Sequence, residues 1–237
     1  MRTAAVIIIG DEILKGKFDD ENTPFLVRRL RELGVALERV TIVADTVAHI
    51  ADEVRRSSAS ADLVLTTGGV GPTHDDRTLE AIAHAFRVPL VSCPELVDIL
   101  SRRVGDLNAA ARRMTELPEG YELLWDEGIW FPLVKMHNVH VFPGVPAFLK
   151  LKFEAACWRW QGEPVSSRYL RTDETEVQIA ERLTEVQERF GTVEIGSYPR
   201  FEDGPRHVIV TLEGRDEDAV VAAEAYLAAR LRLIEER

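Results

Sequence analysis

The chain has 237 residues, 46% of them hydrophobic, and a formal net charge of -11. That length holds one large domain or two modest ones with cores of their own, so disulfides are not needed to hold the fold. The 40 acidic against 29 basic residues, spread along the chain, exclude a nucleic-acid surface, which needs clustered Lys and Arg. Cys93 and Cys157 lack metal or redox spacing and read as reduced thiols of a cytoplasmic protein.

Residues 4–9 (AAVIII) form an apolar run, as a strand covered on both faces requires. The apolar stretch is too short for a membrane span, so it reads as the first buried strand. Residues 24–33 repeat apolar positions at helical spacing until Gly34, 36–43 read as a strand, 46–59 as a helix opening at Thr46, and 62–67 as a third strand. A helix over 76–87 follows. Strands alternating with helices in this way predict a mostly parallel sheet covered on both sides, a three-layer α/β/α domain. Pro94 opens a further helix to about Met114, short strands are expected near 121–125, 130–134 and 138–142, and a helix over 147–160 closes the domain. The boundary falls at Gln161-Gly162-Glu163-Pro164, dividing the chain into 1–162 and 163–237. The second part reads strand, helix (174–190), strand (192–198), a turn at 198–205, strand (206–213) and helix (216–233), a small α+β sandwich.

Residues 66–76, TTGGVGPTHDD, stand between the third strand and its helix. Strand, glycine turn, helix N-terminus is how a chain cradles a phosphate with backbone N–H groups. Asp75 and Asp76 would repel a bare anion, so their presence implies a divalent cation between carboxylate and phosphate, or a base aimed at a water. In an open parallel sheet the loops at the carboxyl ends of the strands converge. Gly10-Asp11-Glu12 after the first strand, Asp45 past the second, the 66–76 loop, and Pro143-Gly144-Val145-Pro146 after a late strand would then form one acidic, glycine-lined pocket. Thr67, Gly68, Gly69, Gly71 and Thr73, with Gly10, Pro143 and Gly144, are its candidate phosphate or nucleotide ligands. Asp76, Asp11 and Asp45 are the candidate catalytic groups, and Asp75, Asp76, Asp11 and Glu12 the candidate metal ligands.

Each position also has a plainer reading. Asp75 and Asp76 could cap the following helix, and Gly10-Asp11 could be an ordinary turn. His74 reads either as a softer metal ligand or base, or as a loop histidine bonded to Asp75. Lys15 and Lys17 either reach a phosphate or stay solvated. Trp125, Trp130, Trp158 and Trp160 read as core or interface anchors rather than stacking platforms.

Gly10-Asp11-Glu12-Ile13-Leu14 with Gly16, Asn22-Thr23, TTGGVGPTHDD with Thr78, and FPGVP at 142–146 resemble, in order, the molybdopterin-binding-like domain of the CinA family. The likeness runs over about residues 4–160. The form FPLV-x-x-x-NV-x-x-FPG, and IGSYP at 195–199, look more like the N-terminal region of eukaryotic FAD synthases than like bacterial CinA. The resemblance implies metal-dependent hydrolysis of a nucleotide pyrophosphate such as FAD or ADP-ribose, with cobalt, magnesium or manganese and possibly potassium. Relatives in molybdenum-cofactor synthesis handle adenylylated molybdopterin, so a non-catalytic pterin or nucleotide carrier is the alternative. By motif, Asp76, Asp11, Glu12 and Asp45 match the family's acidic positions. A homodimer is expected from the same likeness, and the partners are small nucleotides or pterins rather than nucleic acid or membrane.

Overall fold

The computed structural model describes residues 2–201 and 206–234. The chain divides into two compact units, Met1–Gly162 and Glu163–Arg237. In the first, β1 (Thr3–Ile9), β2 (Ala36–Val43), β3 (Leu63–Thr67), β6 (Glu122–Leu124), β7 (Leu133–Met136) and β8 (Val139–Phe142) form one sheet in the order β2-β1-β3-β8-β7-β6. The first four in that order run parallel; β7 and β6 pair antiparallel at the far end. β1 and β3 are buried along nearly their whole length because helices cover both faces. On one side α3 (Val47–Ser60) and α4 (Thr78–Phe86) pack against Ile7, Ile9 and Val64. On the other, after the short α1 (Asp11–Leu14), α2 (Asn22–Glu32) and α7 (Pro146–Ala156) bury Leu26, Leu30, Leu149 and Phe153 against Val6, Ile8 and Leu65. Phe153 touches Phe25 edge-on at 5.5 Å and Trp160 at 5.3 Å between ring centroids, closing that layer.

The second unit carries β9 (Ser166–Thr172), α8 (Glu176–Arg189), β10 (Glu194–Arg200), β11 (His207–Gly214) and α9 (Glu217–Ala228). Its antiparallel sheet, β10-β11-β9, packs Val208, Val210 and Leu212 against Ile179, Val186, Val220 and Leu227 of the helices. The βαββα order is therefore present.

Local chemistry moves several boundaries. The helix expected from Pro94 to Met114 is two: α5 (Pro94–Val104) stops at Gly105, whose φ is +78, and α6 (Ala109–Arg113) restarts where the Asn108 side chain accepts from the Ala111 amide. Between them and β6 lies β5 (Glu116–Pro118), which leaves the main sheet to pair with β4 (Leu90–Ser92). The strand placed near 130–134 begins at Leu133, since Trp130 to Pro132 belong to a loop. β10 runs on through Tyr198-Pro199-Arg200, so the expected turn starts later; residues 202–205 of it lie outside the described residues. α9 ends at Ala228, and Leu233 instead bridges back to Thr172. No helix among the described residues is long and apolar enough to cross a membrane.

One buried group makes this core acid-sensitive. His140 on β8 lies against Trp160, ring centroids 5.1 Å apart, and burial lowers its pKa to about 4. Its folded pKa is below the ordinary 6.5, so its contribution is complete above pH 6.5 and is lost as pH falls through 4. Urea unfolding at pH 7 and pH 5 is expected to show His140→Leu losing about 2 kcal/mol less than the wild type over that interval.

Candidate functional site

The strand order sets the position of the site. The chain passes from β1 to β2 on one side, then crosses to β3 on the other, so the switch point lies between the ends of β1 and β3. The glycine turn sits there. Gly68 has φ +104, and a Cβ on it would stand 2.0 Å from the Ile9 carbonyl oxygen. Gly69, at φ +62, leaves no room for a Cβ beside the Thr78 hydroxyl. Thr78 ties the turn to α4: its hydroxyl donates to the Gly68 carbonyl at 2.7 Å and its amide to the Gly69 carbonyl at 3.0 Å.

A second set of bonds brings in the 143–146 loop. The Thr67 hydroxyl donates to the Pro143 carbonyl at 2.9 Å. The Asn22 amide group donates to Thr67 Oγ1 at 3.1 Å and to the Gly144 carbonyl at 2.8 Å. Both acceptors fix the orientation of that amide, because the Thr67 proton is already spent and a carbonyl only accepts. The side-chain oxygen of Asn22 is buried with no partner. A Cβ on Gly144 would come within 3.2 Å of Gly68 Cα, so the two loops pass backbone to backbone.

These loops open on a cavity of about 1100 Å³. Of the residues expected at the site, Glu12, Asp45, Thr67, Gly68, Gly69, Gly71, Asp75, Asp76, Pro143 and Gly144 line it. Among the described residues no carbonyl accepts from the amides of Gly69, Val70 or Gly71, which leaves three donors for an anion. Seven carboxylates, those of Glu12, Asp19, Asp20, Glu21, Asp45, Asp75 and Asp76, border the cavity against one cation, Lys152.

The carboxylates are not equivalent. Asp45 is half-buried and accepts from the Asp11 amide at 2.6 Å. Burial raises its pKa, and the charges of Glu12, Asp11 and Asp75 raise it further against that hydrogen bond. Asp76 closes its own loop, accepting from the Thr73 amide at 2.7 Å and from the Thr73 hydroxyl.

Other expected residues stand elsewhere. Asp11, Gly10 and Thr73 do not line the cavity. The Asp11 carboxylate pairs with Lys15, which lowers its pKa, so Asp11 reaches the site only through the amide that holds Asp45. Gly10 is buried, its amide bonded to the Val43 carbonyl. Lys15 is occupied by Asp11, and neither it nor Lys17 borders the cavity. The His74 side chain is 94% exposed, 3.8 Å from Asp75, and does not reach the cavity. Asp75 and Asp76 do not cap α4, whose N-cap is Arg77 without a side-chain cap bond. Trp160 is buried, while Trp130 is half exposed and forms part of the cavity wall with Phe131.

The donor set around the cavity is all oxygen, the type that a hard divalent cation takes. Among the described residues no three His, Cys, Asp or Glu groups stand together as a cage. A cation there would need ligand phosphates and water to complete its coordination.

Residues 5–160 match a family described as a probable molybdopterin binding domain, and 164–235 match the middle domain of FAD synthase. A protein of Archaeoglobus fulgidus is 36% identical, covering 92% of this chain and 93% of its own length. A probable FAD synthase of Caenorhabditis elegans is 34% identical over 93% of this chain, which spans 48% of that relative. Among solved structures, CinA from Thermoplasma acidophilum is 27% identical with a TM-score of 0.62, covering 67% of this chain and 97% of that one.

The glycine turn generates a stability contrast. Gly16 also has positive φ, +64, but nothing lies within 4 Å of its missing Cβ. Gly16→Ala is expected to cost about 1 kcal/mol, and Gly68→Ala about 3 kcal/mol or more, because strain and collision add. Urea titrations of the two variants measure the difference.

Proposed function

Because the chain belongs to the family of probable molybdopterin binding domains, we propose that its first unit hydrolyses the pyrophosphate of a nucleotide such as FAD or ADP-ribose, releasing AMP. The supporting observation is that three free amides, at Gly69, Val70 and Gly71, share one cavity with the carboxylates of Glu12, Asp45, Asp75 and Asp76. Molybdopterin binding and FAD synthesis, the activities in the relatives' names, both concern a phosphate ester of a planar heterocycle. The chain covers about half of those FAD synthase relatives, so the activity proposed here is that of the shared part.

In this reading the glycine amides hold one phosphate at the mouth of α4, where the helix N-terminus adds favourable partial charge. Glu12, Asp75 and Asp76 would supply the oxygen ligands for a divalent cation. Such a cation, when bound, offsets phosphate charge and makes nearby water more acidic. Asp45 has the raised pKa of a proton acceptor and takes a proton from the attacking water. The water oxygen bonds to phosphorus as the bridging P–O bond breaks, and the second phosphate leaves with that electron pair. Asp76 also holds the turn closed through Thr73.

A second reading is retention of a pterin or flavin nucleotide without turnover. It is favoured by the description of the matching family, which names binding and no reaction. Product analysis separates the two. Metal-stripped protein mixed with FAD or ADP-ribose in potassium buffer is expected to release AMP only after cobalt, magnesium or manganese is added. Asp45→Asn is expected to lower that rate by about 10²–10⁴-fold while ligand affinity holds. Undiminished release by the variant would remove Asp45 from the chemistry, and no release by the wild type would leave the retention reading.

A further inference from the structure

Lys152 takes no part in the chemistry above, yet it is the one cation among the described residues lining the cavity. It lies half-buried on α7, donating to the Pro132 carbonyl at 2.8 Å and standing 5.0 Å from the centroid of the Phe131 ring. One of its three N–H donors is thereby used. Burial alone pulls its pKa down to about 8, with no carboxylate offsetting it. An ammonium desolvated on a cavity wall without a counter-charge is costly to the free protein and is stabilised by a ligand that accepts from it.

Its place in the sheet selects the part of the ligand it meets. Pro132 precedes β7, which is two strands from β3 in the order β3-β8-β7. Strands are spaced by about 4.8 Å, so the ammonium's anchor is roughly 10 Å across the sheet from the glycine turn. Two linked phosphates span less than one such spacing, so a ligand with a phosphate on the glycine turn presents its other end here. That end of the cavity is aromatic: Trp130 meets Phe131 edge-on at 5.4 Å, and both rings border the cavity.

We propose that Lys152, with Phe131 and Trp130, forms a specificity subsite for the planar end of the ligand, a fused heteroaromatic ring whose carbonyl edge accepts from the ammonium. This rests on the reading that the glycine turn holds a phosphate. It makes a flavin or pterin nucleotide the preferred ligand class over ADP-ribose, whose one fused ring, adenine, has no carbonyl edge and whose other end is a sugar.

Equilibrium binding without added metal tests the subsite apart from turnover. Riboflavin and a simple pterin are followed by fluorescence and ADP-ribose by calorimetry, in wild type, Lys152→Met and Trp130→Ala. Lys152→Met is expected to weaken the preferred ring by about 10- to 100-fold and ADP-ribose by less than about twofold. Whichever ring the wild type binds more tightly identifies the source. Met keeps the length of the side chain and removes a buried charge, so this variant is expected to melt no lower than wild type. Trp130 is half exposed, so Trp130→Ala provides a second, independent loss of ring binding. Wild type that binds neither ring, or a folded Lys152→Met that loses ADP-ribose as much as the rings, overturns the subsite. Lys152-dependent ring binding in a protein that releases no AMP would sink the hydrolase reading and leave the subsite standing.

Discussion

The close approach of Gly68 to the end of β1 is the constraint on which the site depends. The Ile9 carbonyl occupies the space where any side chain at 68 would stand, and the backbone there has φ +104. With no side chain between them, the turn after β3 can fold over the end of β1 at the switch point of the sheet. Thr78 then clamps the turn to α4, and the close pass of Gly144 brings in the loop after β8. Thr67 and Asn22 complete the link, so two loops and the starts of α2 and α4 are held by four buried or half-buried hydrogen bonds. These bonds cross-tie the junction, and of the Asn22 side chain only the buried oxygen is left without a partner.

Rigidity at the junction permits an electrostatic arrangement that a looser loop would not hold. Seven carboxylates around one cavity repel one another, and the raised pKa of Asp45 records part of that repulsion. Some of the charge is absorbed locally. Asp20 accepts from the amides of Asn22 and Thr23 at the start of α2, and Asp76 accepts from Thr73. Asp45 is bonded to the Asp11 amide, while Asp11 itself is neutralised by Lys15. What is left over is a half-buried carboxyl of raised pKa beside free backbone donors, a combination suited to chemistry at a phosphate. Lys152 adds the opposite charge at the far, aromatic wall, so the cavity is polar in a defined direction.

Much of this frame is legible in the chain. AAVIII and LVLTT are apolar without alternation, which only a strand buried on both faces requires. Gly34 and Thr46 mark a helix end and a helix start through local backbone chemistry, as Gly105 and Asn108 also do inside a segment that periodicity alone treats as one helix. The turn TTGGVGPTHDD announces a phosphate loop because its glycines are needed wherever the partners lie. The roles of the acidic residues were less legible. Asp11 and Asp45 look equally available in sequence, and Asp76 looks like a helix cap. Lys150 and Lys152 are indistinguishable as letters in PAFLKLKFEAA, although Lys150 faces Phe25 and Lys152 is drawn into the cavity.

The amino-acid sequence by itself determined the alternation of strands and helices, the glycine turn and the set of loops that meet at the carboxyl ends of the strands. Those properties are local, set by the period of apolar residues and by backbone conformations that few residue types adopt. Only the tertiary structure decided that Asp11 gives its amide rather than its carboxylate, that Asp76 closes a turn, that Asp45 carries the raised pKa and that Lys152 becomes the one cation among the described residues lining the cavity. Burial and charge proximity act through space between residues far apart in the chain, and no local pattern encodes which of several like side chains the fold will desolvate.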